Sequence, residues 1–212
     1  TVIIQINNRS GEKYCDIEIP FSQLNPVSHL SAWIEDNNGN IIRQLKKQDC
    51  IDINEIADYS LYEDYFVRKF TLKHNVYPYR ICYTYDRILK SFMSIADWFP
   101  VINTDIPTHH AKLVLDCPEN YKINVFENNI GSPELLKTSS GVLRMWETSY
   151  DGSVKSELFC PPVSEFLPSV KIVPVNFNYG VDGTADNWNS FSGWLWRLTM
   201  GLGDLPETEK RN

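Results

Sequence analysis

Hydrophobic residues in this chain recur mostly at every second position, and that period constrains the fold more than any other feature. From Asp16 to Phe21, Ile17, Ile19 and Phe21 alternate with Asp16, Glu18 and Pro20. Successive side chains of a strand point to opposite faces, so the pattern predicts a half-buried strand. Leu30, Ala32 and Ile34 continue the alternation, and Ile41, Arg43 and Leu45 resume it after residues 36–40. Asn38-Gly39 between them predicts a hairpin, because both residues tolerate the positive φ of a tight turn. The same reading places strands at 65–72, 79–89, 111–115, 121–125, 142–146, 156–159 and 170–177, with a further extended stretch opening at Trp98-Phe99-Pro100-Val101. His74-Asn75 reads as a turn, and Pro174 as an edge position or a bulge. On 79–89, Tyr79, Ile81, Tyr83 and Tyr85 share one face and Arg80, Cys82, Thr84 and Asp86 the other. Residues 51–63 break the alternation, and Ile53, Ile56 and Leu61 fit a helical turn or a loop.

Roughly ten to twelve short strands with turn residues between them, and no helices alternating with them, disfavour a parallel βαβ sheet. The expected fold is all-β: a large antiparallel β-sandwich, Ig-like or super-sandwich, over residues 1–180, followed by a helical segment over 181–212. In that segment Thr184-Ala185-Asp186 offers N-cap candidates. Trp188, Phe191, Leu195, Leu198 and Leu202 then fall at helical spacing, and Trp194 widens the stripe. This predicts a C-terminal amphipathic helix that Gly201 or Gly203 can end, with Pro206 opening another element.

Composition narrows the function classes. The 212 residues hold 20 Lys and Arg against 27 Asp and Glu, a net charge of −7. That balance excludes a basic domain built to hold nucleic acid, which needs surplus cations to neutralise phosphates. At 42% hydrophobic and 22% charged residues, the chain has the makeup of a folded globular protein. The longest stretch without Asp, Glu, Lys or Arg runs over 21–34 and includes Asn25, Pro26 and His29; no membrane-spanning segment is expected. No targeting signal precedes the apolar run Val2-Ile3-Ile4, so the start reads as trimmed or processed.

The chemistry-bearing residues are scattered. Cys15, Cys50, Cys82, Cys117 and Cys160 form no C-x-x-C pair, and an odd number leaves at least one free or paired outside the chain. A thiol nucleophile needs a histidine base; the candidates are His29, His74, His109 and His110. None of the cysteines sits at a recognisable helix start, and buried structural thiols are the competing reading. His109-His110 would face opposite sides of a strand and rarely ligate one ion together, so no metal and no cofactor is expected. Asp49, Asp52, Glu55 and Asp58 lack the glycine and spacing of a calcium loop. The 6 Trp, 11 Tyr and 10 Phe either pack the core or stack on sugar rings. Asn8-Arg9-Ser10 matches the N-glycosylation pattern.

Several segments together resemble one family: Ser31-Ala32-Trp33-Ile34-Glu35-Asp36 with Gly39, Leu61-Tyr62-Glu63-Asp64, residues 77–85 with Tyr77-Pro78-Tyr79, Trp98-Phe99-Pro100, and above all residues 186–198. They are similar to the domain of unknown function that precedes a transglutaminase-like, cysteine peptidase-like domain in exported bacterial proteins. The resemblance implies a β-sandwich, a periplasmic or cell-surface location, and a helix that connects to a catalytic domain. That domain's Cys, His and Asp would lie beyond Asn212, so no residue here is expected to be catalytic. Trp188, Phe191, Trp194, Leu195 and Leu198 are the expected domain interface. The first expectation is a non-catalytic accessory domain, in a longer polypeptide, that positions the downstream domain or binds a protein partner. A glycan-binding module is the second, and an independent thiol hydrolase the third.

Overall fold

The structure, a computed structural model, describes residues 1–54, 65–139, 141–152, 154 and 159–201. It is all-β and antiparallel, with one C-terminal α-helix. The chain divides into two units, residues 1–90 and 91–212.

Among the described residues, the first unit holds seven strands: β1 (Val2–Ile6), β2 (Asp16–Phe21), β3 (Val27–Glu35), β4 (Ile41–Gln44), β5 (Ile51–Asn54), β6 (Phe66–Thr71) and β7 (Tyr79–Arg87). They form a four-stranded sheet in the order β1-β7-β3-β4 and a three-stranded sheet in the order β2-β6-β5. Ile6, Ile34, Tyr79 and Ile81 of the first sheet pack with Ile17, Ile19 and Phe70 of the second in one buried core. The alternation of 16–21 and 79–85 is therefore that of strands with one face inward. Gly39 at φ +87° lies in the β3–β4 turn, and the Asp36 carboxylate accepts from the Asn38 and Asn40 amides. The predicted hairpin is present.

One expectation changes here. Residues 51–54 are an edge strand rather than a helical turn or loop; Ile56 and Leu61 lie outside the described residues. The turn at His74-Asn75 joins strands of different sheets, because β6 pairs with β2 and β5 while β7 pairs with β1 and β3. The apolar faces of both strands are buried by crossing between layers.

The second unit holds β8 (Ala96–Trp98), β9 (Thr108–Cys117), β10 (Ile123–Asn128), β11 (Glu134–Lys137), β12 (Val142–Tyr150), β13 (Ser169–Pro174), β14 (Asn176–Tyr179), β15 (Val181–Thr184) and α1 (Trp188–Thr199). Sheets β10-β13-β8 and β11-β12-β9 enclose a second core of Trp146, Val170 and Ile172, flanked by Trp98, Leu113, Leu115 and Val125. The strands among the described residues number fifteen, more than the ten to twelve expected, because β1, β5, β11 and β15 lie outside the expected strands and the stretch expected at 170–177 divides into β13 and β14. Trp98 ends a strand instead of opening one. Pro174 is the last residue of the central strand β13, at a level β8 does not reach. The missing N–H therefore costs no ladder bond to β8. Of the strand expected at 156–159, Phe159 lies in a turn and residues 156–158 lie outside the described residues.

Candidate functional site

The chain's last described element is a ββα unit with a small aromatic core of its own. β14 and β15 pair from Asn176↔Thr184 to Tyr179↔Val181, turning at Gly180 with φ +75°. Asn187, not the preceding Thr184-Ala185-Asp186, caps α1: its side chain accepts from the Ser190 amide at 2.9 Å. Asn is among the best N-caps and sits directly before the first helical residue. The helix ends at Thr199, and Gly201 follows at φ +83°, as a glycine stop requires.

Packing fixes which helix face turns inward. Trp194 is buried against Phe177 with ring centroids 5.2 Å apart and planes at 77°, and its Nε1 donates to the Val181 carbonyl at 3.3 Å. Phe191 lies 5.3 Å from Trp194. A Cβ on Gly183 would fall 2.6 Å from both Phe177 and Trp194, and one on Gly180 would fall 2.6 Å from Leu198. Gly183 needs glycine so that the hairpin can touch the helix, and Gly180 needs it for its φ of +75°. Arg197 donates to the Asp182 carbonyl at 2.9 Å and closes the contact.

At about 100° per residue, this places Trp194, Phe191 and Leu198 on one face and leaves Trp188 and Leu195 on its flank and Trp196 on the far side. Trp188 is 84% exposed, Trp196 64% and Leu195 47%. The expected interface residues are thus divided. Trp194 is the anchor rather than a widening of the stripe, Phe191 and Leu198 are half-buried beside it, and Trp188 and Leu195 face solvent. Leu202 and Pro206 lie outside the described residues. Trp196, off the 188-191-195-198 stripe, is exposed as well. An open groove of about 400 Å³ lies beside Trp188, lined also by Ala185, Asp186, Asn187 and Phe191. The Trp188 ring stands edge-on to Phe191 at 6.2 Å.

The other chemistry-bearing residues do not converge on this element. Cys15, Cys82 and Cys117 are buried, Cys50 is half-buried and Cys160 is exposed. Cys15 Sγ lies 3.2 Å from the Tyr79 hydroxyl, and Arg144 donates to Cys117 Sγ at 3.4 Å. Burial raises the Cys15 thiol and, helped by the neighbouring Glu35 carboxylate, pushes the Cys82 thiol up to about 11. Such thiols are poor nucleophiles at neutral pH. His29 Nδ1 meets Asp86 at 2.9 Å, and His110 Nε2 lies 3.7 Å from Glu147. Among the described residues, no group of three His, Cys, Asp or Glu side chains could hold a metal ion. The tyrosines of β7 pack against the first core, and Asp52 is held in a bidentate pair with Arg68. Glu55 and Asp58 lie outside the described residues. No helix among the described residues is long and apolar enough to cross a membrane.

Antiparallel sandwich layers with an aromatic helix-on-hairpin element define a β-rich domain class. Residues 1–151 match the Domain of Unknown Function DUF3857, a family with solved structures, and the chain belongs to it. No curated protein matches the sequence. A crystal structure from Parabacteroides distasonis ATCC 8503, of a protein named as a candidate protease, is similar in fold. Its TM-score is 0.66 at 13% identity, over 84% of this chain and 36% of that one. The chain thus spans little more than a third of that protein's length.

Proposed function

We propose that this chain is a non-catalytic accessory domain of an exported transglutaminase-like protein, and that the outward face of α1 docks on the catalytic domain. The observation that carries the reading is the apolar surface that α1 leaves exposed. Trp188, Leu195 and Trp196 stand exposed on a helix whose Trp194 face is already locked to its hairpin. Exposed apolar surface of this kind marks an interaction site, and covering each side chain fully is worth about 1.5–3 kcal/mol. Two further observations support the reading. The similar fold from Parabacteroides distasonis belongs to a chain of which this one covers 36%. The cysteines with resolved shifts all move away from nucleophile range.

Hydrogen exchange over Trp188–Thr199 tests it, compared between the 212-residue chain and the full-length polypeptide. Docking predicts slower exchange and blue-shifted tryptophan emission in the longer protein; identical profiles overturn it. The 212-residue chain is also expected to show no iodoacetamide-sensitive peptide hydrolysis, and thiol-dependent turnover would remove the non-catalytic assignment. Glycan binding is the second reading, favoured by the Trp188 ring standing open beside a groove with Asp186 and Asn187. A glycan array, read with Trp188→Ala alongside, separates the two.

A further inference from the structure

The free edge of the first unit carries a feature that the helix does not explain. Among the described residues, β4 (Ile41–Gln44) pairs only with β3, so its other side presents backbone N–H and C=O groups that no described strand pairs. All four of its residues are exposed, with Ile41 at 54% and Ile42 at 42%. Charge distinguishes this edge. Residues 41–48 carry Arg43, Lys46 and Lys47 and no acid, in a chain of net charge −7. The acid nearest in sequence is Asp49, whose carboxylate accepts from the Lys46 amide and lies 3.8 Å from Arg43, too long for a tight pair. An open groove of about 390 Å³ runs along Ile41–Lys46.

We infer that β4 is a strand-addition site for an extended acidic segment of a partner protein, one that alternates carboxylate and apolar side chains. Strand addition draws affinity from main-chain hydrogen bonds and specificity from alternate side chains. Cations on an edge ordinarily keep like or neutral strands away; they admit an acidic one. Arg43 lies opposite the buried Ile34 and Ile41 opposite Glu35, on the other face of the sheet. An incoming strand therefore meets a cation on one face and an isoleucine on the other, which is the alternation proposed. The site lies in the first unit and α1 in the second, so its failure leaves the accessory-domain reading untouched.

The test uses the 212-residue chain and a short capped peptide alternating glutamate and valine, with a lysine–valine peptide as its counterpart. Binding is expected for the acidic peptide, with amide-exchange protection confined to 41–44 and affinity falling as salt rises. Arg43→Glu with Lys46→Glu is expected to weaken it about tenfold or more and to confer binding of the lysine–valine peptide. Both side chains are exposed, so the variant should keep the wild-type melting curve, recorded in parallel. Equal affinity for the two peptides, protection elsewhere than β4, or no binding of either overturns the proposal. Should the double variant unfold, Ile42→Pro removes one edge donor without a charge change. Binding undiminished by that proline overturns the proposal equally.

Discussion

Gly183 shows how much one hydrogen atom in place of a methyl can decide. With Phe177 and Trp194 both 2.6 Å from where a Cβ would stand, Gly183→Ala must push the helix off the hairpin. Overpacking of this kind costs about 1–3 kcal/mol, and urea unfolding followed by tryptophan emission should show it. Glu12 makes a second residue-scale case. Its carboxylate accepts from the Tyr77 hydroxyl and pairs with Lys73 at 2.5 Å. The Lys73 contact first, then Tyr77, holds it below its ordinary value of 4.5. A carboxyl depressed by folding contributes stability above its unfolded pKa and loses it as pH falls through the folded one. Glu12→Gln should therefore lower Tm at neutral pH, and the gap to wild type should close as pH drops below 4.5; a gap constant with pH contradicts the pairing. The thiols give a third. Only Cys160 is exposed among the five, so a disulfide reagent should titrate one thiol rapidly in the native protein and five after denaturation. Cys160→Ser should remove the fast phase.

At the scale of elements, the helix and hairpin behave as one unit because neither buries its apolar face alone. A two-stranded hairpin is marginal by itself, and so is a helix of twelve residues. Trp194→Ala removes the ring that both share, and core truncations of this size cost about 3–5 kcal/mol. Exchange protection over Trp188–Thr199 should then be lost while the sandwich strands keep theirs. Trp188→Ala should leave that protection intact, since the ring is 84% exposed, yet abolish the docking assigned to it. The helix was legible in the sequence from its spacing and glycine stop. Its inward face was not, because the apolar residues Trp188 to Leu198, with Trp194 and Trp196, span a little over half the helix circumference. A stripe that wide does not say which part meets the hairpin; Gly180 and Gly183, on another element, do.

For the whole molecule, the two cores are the organising fact. Residues 1–90 close a four-on-three sandwich around Ile34, Ile81, Leu72 and Tyr79, and this fragment expressed alone should unfold in one cooperative transition. A broad, non-cooperative melt would show that the first core is incomplete. The match to the DUF3857 family runs through residue 151, across the division at residue 90 and short of the hairpin and helix. By itself the sequence determined the class: period-two alternation commits each segment to a sheet with one wet and one dry face, and Asn-Gly or a glycine stop ends elements locally. Only the tertiary structure decided which strands pair, that two cores form, and which tryptophan is anchor and which is open. Alternation records that a face must be buried, whereas the partner that buries it is selected by contacts between residues far apart in the chain.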